Sequence, residues 1–230
     1  ENADKFSGVT QRTVPYVTLD WRMPFVKRSG KVSQTIEPIV SAVWRPNGGN
    51  SNKMPNEDST ELEFDETNLF SVNRFTGFDR IEGGPRLNYG LKWGVLGEEG
   101  ASTNFFVGQS YRIRTDSTFA AGSGLEDNFS DIVAQVKISP GSHLDLLYRT
   151  RFSSDNFSPN RNEVAFAAGI PAFRLGGNYV FLDQQDDSEF EGREELSMTA
   201  TSKINRFWST GFNAVRNISD DAMRTAGFNL

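Results

Sequence analysis

Apolar and polar residues alternate with a period of two along most of this chain, and many of the polar positions are charged. Val17, Leu19, Trp21, Met23 and Phe25 are interleaved with Thr18, Asp20, Arg22 and Pro24. Leu87, Tyr89, Leu91, Trp93 and Val95 are interleaved with Arg86, Asn88, Gly90 and Lys92. The same reading repeats around Val40, Val107, Val136, Leu146, Phe166, Tyr179, Met198, Phe212 and Phe228. A period of two is a β-strand with two different faces. One face here is apolar. The other carries Asp20, Arg22, Arg86, Lys92, Arg112, Lys137, Asp145, Arg149, Glu163 and Arg174. A dry sandwich core would have to desolvate each of those charges, at several kcal/mol apiece when unpaired. A water-filled lumen would not. The apolar face is then expected to look outward at lipid, with Trp21, Phe25, Trp44, Trp93, Tyr111, Tyr148, Phe152 and Trp208 near strand ends as an aromatic girdle.

The pattern predicts about eleven strands of roughly ten residues, the length of a tilted membrane strand. Short turns at residues 27–31, 97–101, 139–142, 169–172 and 203–206 alternate with longer polar loops at 46–84, 115–129, 153–159, 183–193 and 217–221. That parity is the mark of an outer-membrane barrel, with short periplasmic turns and long extracellular loops. No run of 18 apolar residues exists, so the sequence offers no membrane-spanning helix. Hydrophobic content of 37% with a mean hydropathy of −0.50 looks like that of a soluble protein but does not exclude a barrel, because only alternate residues meet lipid. The expected fold is therefore an all-β, antiparallel, up-and-down transmembrane barrel. An odd strand count and a chain that stops within an alternating run lead to the expectation of one domain, residues 1–230, forming a section incomplete at both ends.

Composition narrows the chemistry. A net charge of −6 argues against nucleic acid as a partner. With no cysteine and a single histidine, His143 at an expected turn, neither a zinc site nor a Ser-His-Asp triad is in prospect. No cofactor motif appears, and no enzyme is expected. The acidic run Glu57, Asp58, Glu61, Glu63, Asp65 and Glu66 lacks ordered cation-ligand spacing and reads as a solvated loop. Asp183, Asp186, Asp187, Glu189 and Glu191 read alike. Pro15, Pro24 and Pro38 fall inside expected strands, where a residue without an N–H marks an end or a bulge.

Two stretches carry a family resemblance. Thr35-Ile-Glu-Pro-Ile-Val-Ser-Ala-Val-Trp-Arg-Pro46 resembles a strand of the LPS-assembly protein family LptD, also called organic solvent tolerance protein. Asn68-Leu-Phe-Ser-Val-Asn-Arg-Phe-Thr-Gly-Phe-Asp-Arg-Ile-Glu82, running on into Arg86-Leu-Asn-Tyr-Gly-Leu91, resembles its loop and following strand. The resemblance covers about sixty residues. It implies part of a large barrel that inserts lipopolysaccharide into the outer leaflet and is plugged by the lipoprotein LptE. The family receives lipid from a periplasmic bridge protein through a jelly-roll domain, for which this chain has no candidate. By the match, Asn73, Arg74, Phe75, Gly77, Asp79 and Arg80 belong to the family's loop. Arg74 and Arg80 are expected to pair with Asp79 or neighbouring acids and fold the loop inward, or to meet lipid phosphate through their planar forks. The alternative is a general or substrate-specific outer-membrane porin. A barrel enzyme and a secreted sandwich fit less well, for want of a catalytic constellation and because of the charged face.

Overall fold

The computed structural model describes residues 11–51, 54–59, 62–183, 192–219 and 222–229. Glu61, Asp186, Asp187, Glu189 and Glu191 lie outside them. The described chain is all β, in one antiparallel sheet. Its strands are β1 (Val17–Arg22), β2 (Phe25–Ser29), β3 (Val32–Trp44), β4 (Arg86–Leu96), β5 (Ser102–Arg112) and β6 (Ile132–Gly141). They continue with β7 (Leu144–Phe152), β8 (Pro159–Ile170), β9 (Phe173–Leu182), β10 (Arg193–Lys203), β11 (Ser209–Asn217) and β12 (Ala222–Asn229).

Twelve strands stand where about eleven are expected, because the first is interrupted. β1 pairs residues 17–22 with 44–39 of β3, and β2 pairs 25–29 with 36–32 of the same strand. Met23 N still donates to Pro38 O, at 3.3 Å. The register sets Met23 against Pro38 and Pro24 against Glu37, so two residues without an N–H to give fall on adjacent steps of the ladder at the break. Pro15 precedes β1.

From β3 onward each strand pairs with the next, the order being β1-β3-β4-β5-β6-β7-β8-β9-β10-β11-β12, and the sheet does not close on itself. Such consecutive antiparallel pairing puts all short turns at one end and all long loops at the other, as the alternating loop lengths require. The register keeps the faces distinct. Trp21, Val40, Tyr89 and Gln109 form one row, and Asp20, Ser41, Asn88 and Ser110 form the next row on the opposite face.

The apolar face is bare. Leu19 and Phe228 remain more than two-thirds exposed, and Leu87, Leu91, Leu146, Val164 and Met198 are exposed as well. The hydrophobic core lies on the other side. Phe106 of β5 and Val133 of β6 point away from the bare face and are covered by Leu62, Phe64, Leu69 and Phe75 from the 45–85 loop and by Phe119 and Leu125 from the 113–131 loop. The two loops also pack on each other, with the Phe75 and Phe119 rings stacked at 4.9 Å. Space for them comes from a glycine pair. Gly90 and Gly108 face each other in the register, and a Cβ on Gly108 would stand 2.4 Å from Leu69 Cδ2.

Candidate functional site

The loop over the sheet is fastened by charge. Glu82, wholly buried, meets three arginines that are equally shielded. Its Oε1 lies 3.2 Å from Arg74 Nη2 and 3.5 Å from Arg86 Nε, and it also pairs with Arg112 Nη2. β4 and β5 supply Arg86 and Arg112, whereas the loop supplies Arg74 and Glu82. Arg74 Nη2 also donates to Asn88 Oδ1 at 3.2 Å and to Ser110 Oγ at 2.9 Å, and Ser110 Oγ donates to Asn88 Oδ1 at 2.7 Å. Burial pulls the Arg74 guanidinium down to about 9, against Glu82, which favours its charged form. Arg86 donates to the Ser71 and Val72 carbonyls, and Arg112 lies 4.5 Å above the Phe119 ring. Removing one member of such a knot would leave a charge stranded without solvent.

Two further fastenings reach across the sheet. Arg149 of β7 lies 2.9 Å from Glu66, and Arg161 of β8 lies 2.8 Å from Glu63 and 3.7 Å from Asp65. Burial raises the Glu66 carboxyl. Arg151 pairs with Asp131 at 3.3 Å and donates to the Gly122 and Ser123 carbonyls of the second loop.

Within the family-motif loop, Asp58 and Asp79 hold each other's backbone. Phe78 N and Asp79 N donate to the Asp58 carboxylate at 2.8 and 2.9 Å, and Glu57 N and Asp58 N donate to Asp79 Oδ2 at 2.7 and 3.1 Å. Those backbone bonds hold the Asp58 carboxyl below its ordinary range. Gly77 makes the turn possible. Its φ is +73°, and a Cβ there would stand 2.3 Å from Asp58 Cγ. Asn73 Oδ1 accepts Glu82 N at 2.8 Å, and its Nδ2 donates to Arg80 O at 3.2 Å.

Arg74 pairs with a neighbouring acid, as expected, and that acid is Glu82, while the Asp79 carboxylate is taken up by backbone amides. Other expectations are corrected. Arg80 donates to the Met54 carbonyl at 3.2 Å. The acidic run is solvated only in part: Glu57, Asp58 and Glu63 are exposed, whereas Asp65 and Glu66 are half-buried against Arg161 and Arg149. Among the described residues no group of three or more acidic or histidine side chains is arranged to hold a metal ion. Arg86 and Arg112 lie dry beneath the loops, Arg149 is partly covered, and Asp20, Arg22, Lys92, Lys137 and Asp145 on the same face are exposed. Of the aromatics, Trp44, Tyr111 and Phe152 end their strands on the long-loop side, and Trp208 stands just before β11. Trp21, Phe25, Trp93 and Tyr148 sit well inside the sheet, so the aromatic positions make a band and not two rims. Glu82, Asn88 and Ser110 escape the sequence reading as site residues, because a polar group that ends up dry looks the same in sequence as one that stays wet.

An up-and-down antiparallel sheet, bare and apolar on one side and roofed by its own long loops on the other, has the architecture of a β-barrel wall with an occluded interior. Known proteins narrow this further. The family model LptD, LPS transport system D, matches residues 1–208. The LPS-assembly protein LptD of Neisseria meningitidis serogroup B is 32% identical over 214 residues, covering 85% of this chain and 26% of that protein. That of Aeromonas hydrophila is 33% identical over 216 residues, 87% of this chain and 26% of that protein. That of Cupriavidus necator is 27% identical over 215 residues, 85% of this chain and 24% of that protein. The chain belongs to the LptD family. It spans about a quarter of the length of the curated relatives it matches.

Proposed function

We propose that this chain forms part of the wall of an outer-membrane barrel that moves lipopolysaccharide into the outer leaflet. The bare face meets lipid, the roofed face meets the interior, the long loops lie outside the cell and the short turns lie in the periplasm. The observation that carries the reading is the division of the sheet. Its exposed side is an apolar surface that no element covers among the described residues, and its charged side carries the core. Membership of a family whose curated relatives are named LPS-assembly proteins gives that surface its purpose. On this reading the chain is a conduit and not a catalyst. Its whole-protein partners are lipopolysaccharide, surrounding membrane lipid, a lipoprotein plug of the LptE type and a periplasmic bridge protein.

The Arg74–Glu82 knot and the Asp58–Asp79 turn serve this role as the fastening of an inward-folded loop, a structural part for the family motif and not a phosphate contact. A porin needs an open lumen, and the loops covering β3 to β8 speak against it. The test is to deplete the natural full-length protein in its host and measure lipopolysaccharide at the cell surface. Loss at the surface with accumulation inside is expected. Unchanged surface lipopolysaccharide with altered uptake of small solutes would make the protein a channel instead.

A further inference from the structure

In β8 to β12 the charges are sorted by height. Glu163, Arg193, Glu194 and Glu195 belong to the long-loop half of their strands, and Asp183 follows the long-loop end of β9. From Val164 to Leu182 the only charge is Arg174, and from Leu196 to Val215 the only charges are Lys203 and Arg206. The short-turn half is therefore purely cationic.

The register gathers those cations on the charged face. Arg174 stands beside Thr201, Thr201 beside Gly211 and Gly211 beside Asn229, while Lys203 stands beside Ser209 one step nearer the turns. Together they line a pocket of about 560 Å³ to which no carboxylate contributes. Gly211 lets the Asn229 amide lie across it into the pocket, for a Cβ there would meet Asn229 Oδ1 at 2.3 Å. Among the described residues neither Arg174 nor Lys203 forms an ion pair. This is unlike Arg74, Arg86, Arg112, Arg149, Arg151 and Arg161, all of which are neutralised by acids. Free cations in a concave wall draw anions. An arginine fork beside an ammonium suits a phosphate, and hydroxyls and an amide suit sugar hydroxyls.

We propose that this pocket binds the phosphorylated sugar headgroup of an anionic glycolipid on the short-turn side of the wall. Arg174 and Lys203 take the phosphate, and Thr201, Ser209 and Asn229 take the sugar. The assignment rests on the lipopolysaccharide reading above and gives that lipid its first contact with this part of the barrel.

The test uses the natural full-length protein in detergent and, as probe, a bisphosphorylated glucosamine disaccharide without acyl chains. Binding is followed by calorimetry, and folding of each variant by heat-modifiable gel migration. Arg174→Gln with Lys203→Gln is expected to weaken binding at least tenfold, and Arg174→Lys with Lys203→Arg to retain it. On the unaltered protein, the same disaccharide without phosphates is expected to bind at least tenfold more weakly, which holds the proposal to account even if the glutamine pair does not fold. Equal binding by the folded glutamine variant, or no preference for the phosphorylated sugar, would overturn the proposal. Displacement by an equal concentration of inorganic phosphate would also overturn it, since the pocket would then read phosphate alone. If depletion abolishes surface lipopolysaccharide but the glutamine pair binds normally, this site is wrong and the export reading stands. If depletion leaves surface lipopolysaccharide unchanged, the export reading itself fails.

Discussion

Arg74 Nη2 and Glu82 Oε1 lie 3.2 Å apart with both side chains shut off from solvent, one at the start and the other at the end of the family-motif loop. The pair closes the loop on itself, and Arg86 and Arg112 bind the closed loop to two neighbouring strands. Glu82 is the single carboxylate on which all three arginines converge.

Glu82→Gln keeps the shape of the side chain and removes its charge. Three arginines would then share a dry site without the carboxylate they have in common, with only Asp116 left beside Arg112, at 3.7 Å. Breaking a buried ion pair from one side costs on the order of 3–5 kcal/mol. Thermal unfolding of the full-length protein in detergent is expected to show that loss, and a melting curve that matches the unaltered protein would mean the knot is wetter than its burial implies.

Leu69 reaches the sheet only because Gly108 has no side chain. Gly108→Ala places a methyl 2.4 Å from Leu69 Cδ2 and is expected to lift the loop, so that limited proteolysis cuts within residues 62–82 several-fold faster. Gly141→Ala, which meets nothing within 4 Å, should leave the digestion unchanged. Equal protection in both variants would show that the loop is not seated on β5.

The Asp58 turn has a pH dependence whose sign follows from its hydrogen bonds. The bonds from Phe78 N and Asp79 N lower the folded carboxyl below its ordinary value of 3.8. A depressed carboxyl stabilises the fold above the unfolded value, and that stability is lost as pH falls through the folded one. Amide exchange at Phe78 and Asp79 is expected to quicken, beyond its intrinsic pH dependence, as the pH drops from 5 toward 3. Asp58→Asn should show the loosened behaviour already at neutral pH. Protection that is indifferent to both changes would remove Asp58 from its capping role.

Leu91 and Lys92 are adjacent in β4 and point to opposite faces. If the bare face meets lipid, Leu91→Arg places a charge in the hydrocarbon and costs about 2–4 kcal/mol near the bilayer midplane. Lys92→Gln changes a solvated side chain and is expected to cost little. The comparison is read from the yield of folded protein in liposomes. Equal yields would mean that the bare face is not the lipid face.

The fold was legible because its two signals are local. Alternation at Leu87–Val95 or Leu144–Phe152 fixes the strand and its face, and loop lengths fix which end is which. The break at Met23–Pro24 was half legible, since both prolines were visible but not that Pro24 and Pro38 fall on adjacent steps of one ladder. The site was legible as a motif and not as chemistry. Asn73, Arg74, Gly77 and Asp79 stand out in the sequence, but their partners are 14 to 36 residues away in the bonds to Asn88 and Ser110, or depend on Asp58 turning back on the chain. Arg86 and Lys92 occupy equivalent positions of one strand face, and only the loop above decides that the first is dry and the second wet.

The most direct test of the account is to ask which end of the sheet faces the outside of the cell. The described wall brings no cysteine of its own, and a single cysteine is introduced either at Asp155 in the 153–158 loop or at Ser142 in the β6–β7 turn. Each is placed in the full-length protein and challenged in intact cells with a membrane-impermeant maleimide, read against protein without the added thiol. The account expects Asp155→Cys to label in whole cells and Ser142→Cys to label only after the outer membrane is opened. Labelling of Ser142→Cys in intact cells, or failure of Asp155→Cys there, would contradict the barrel-wall reading.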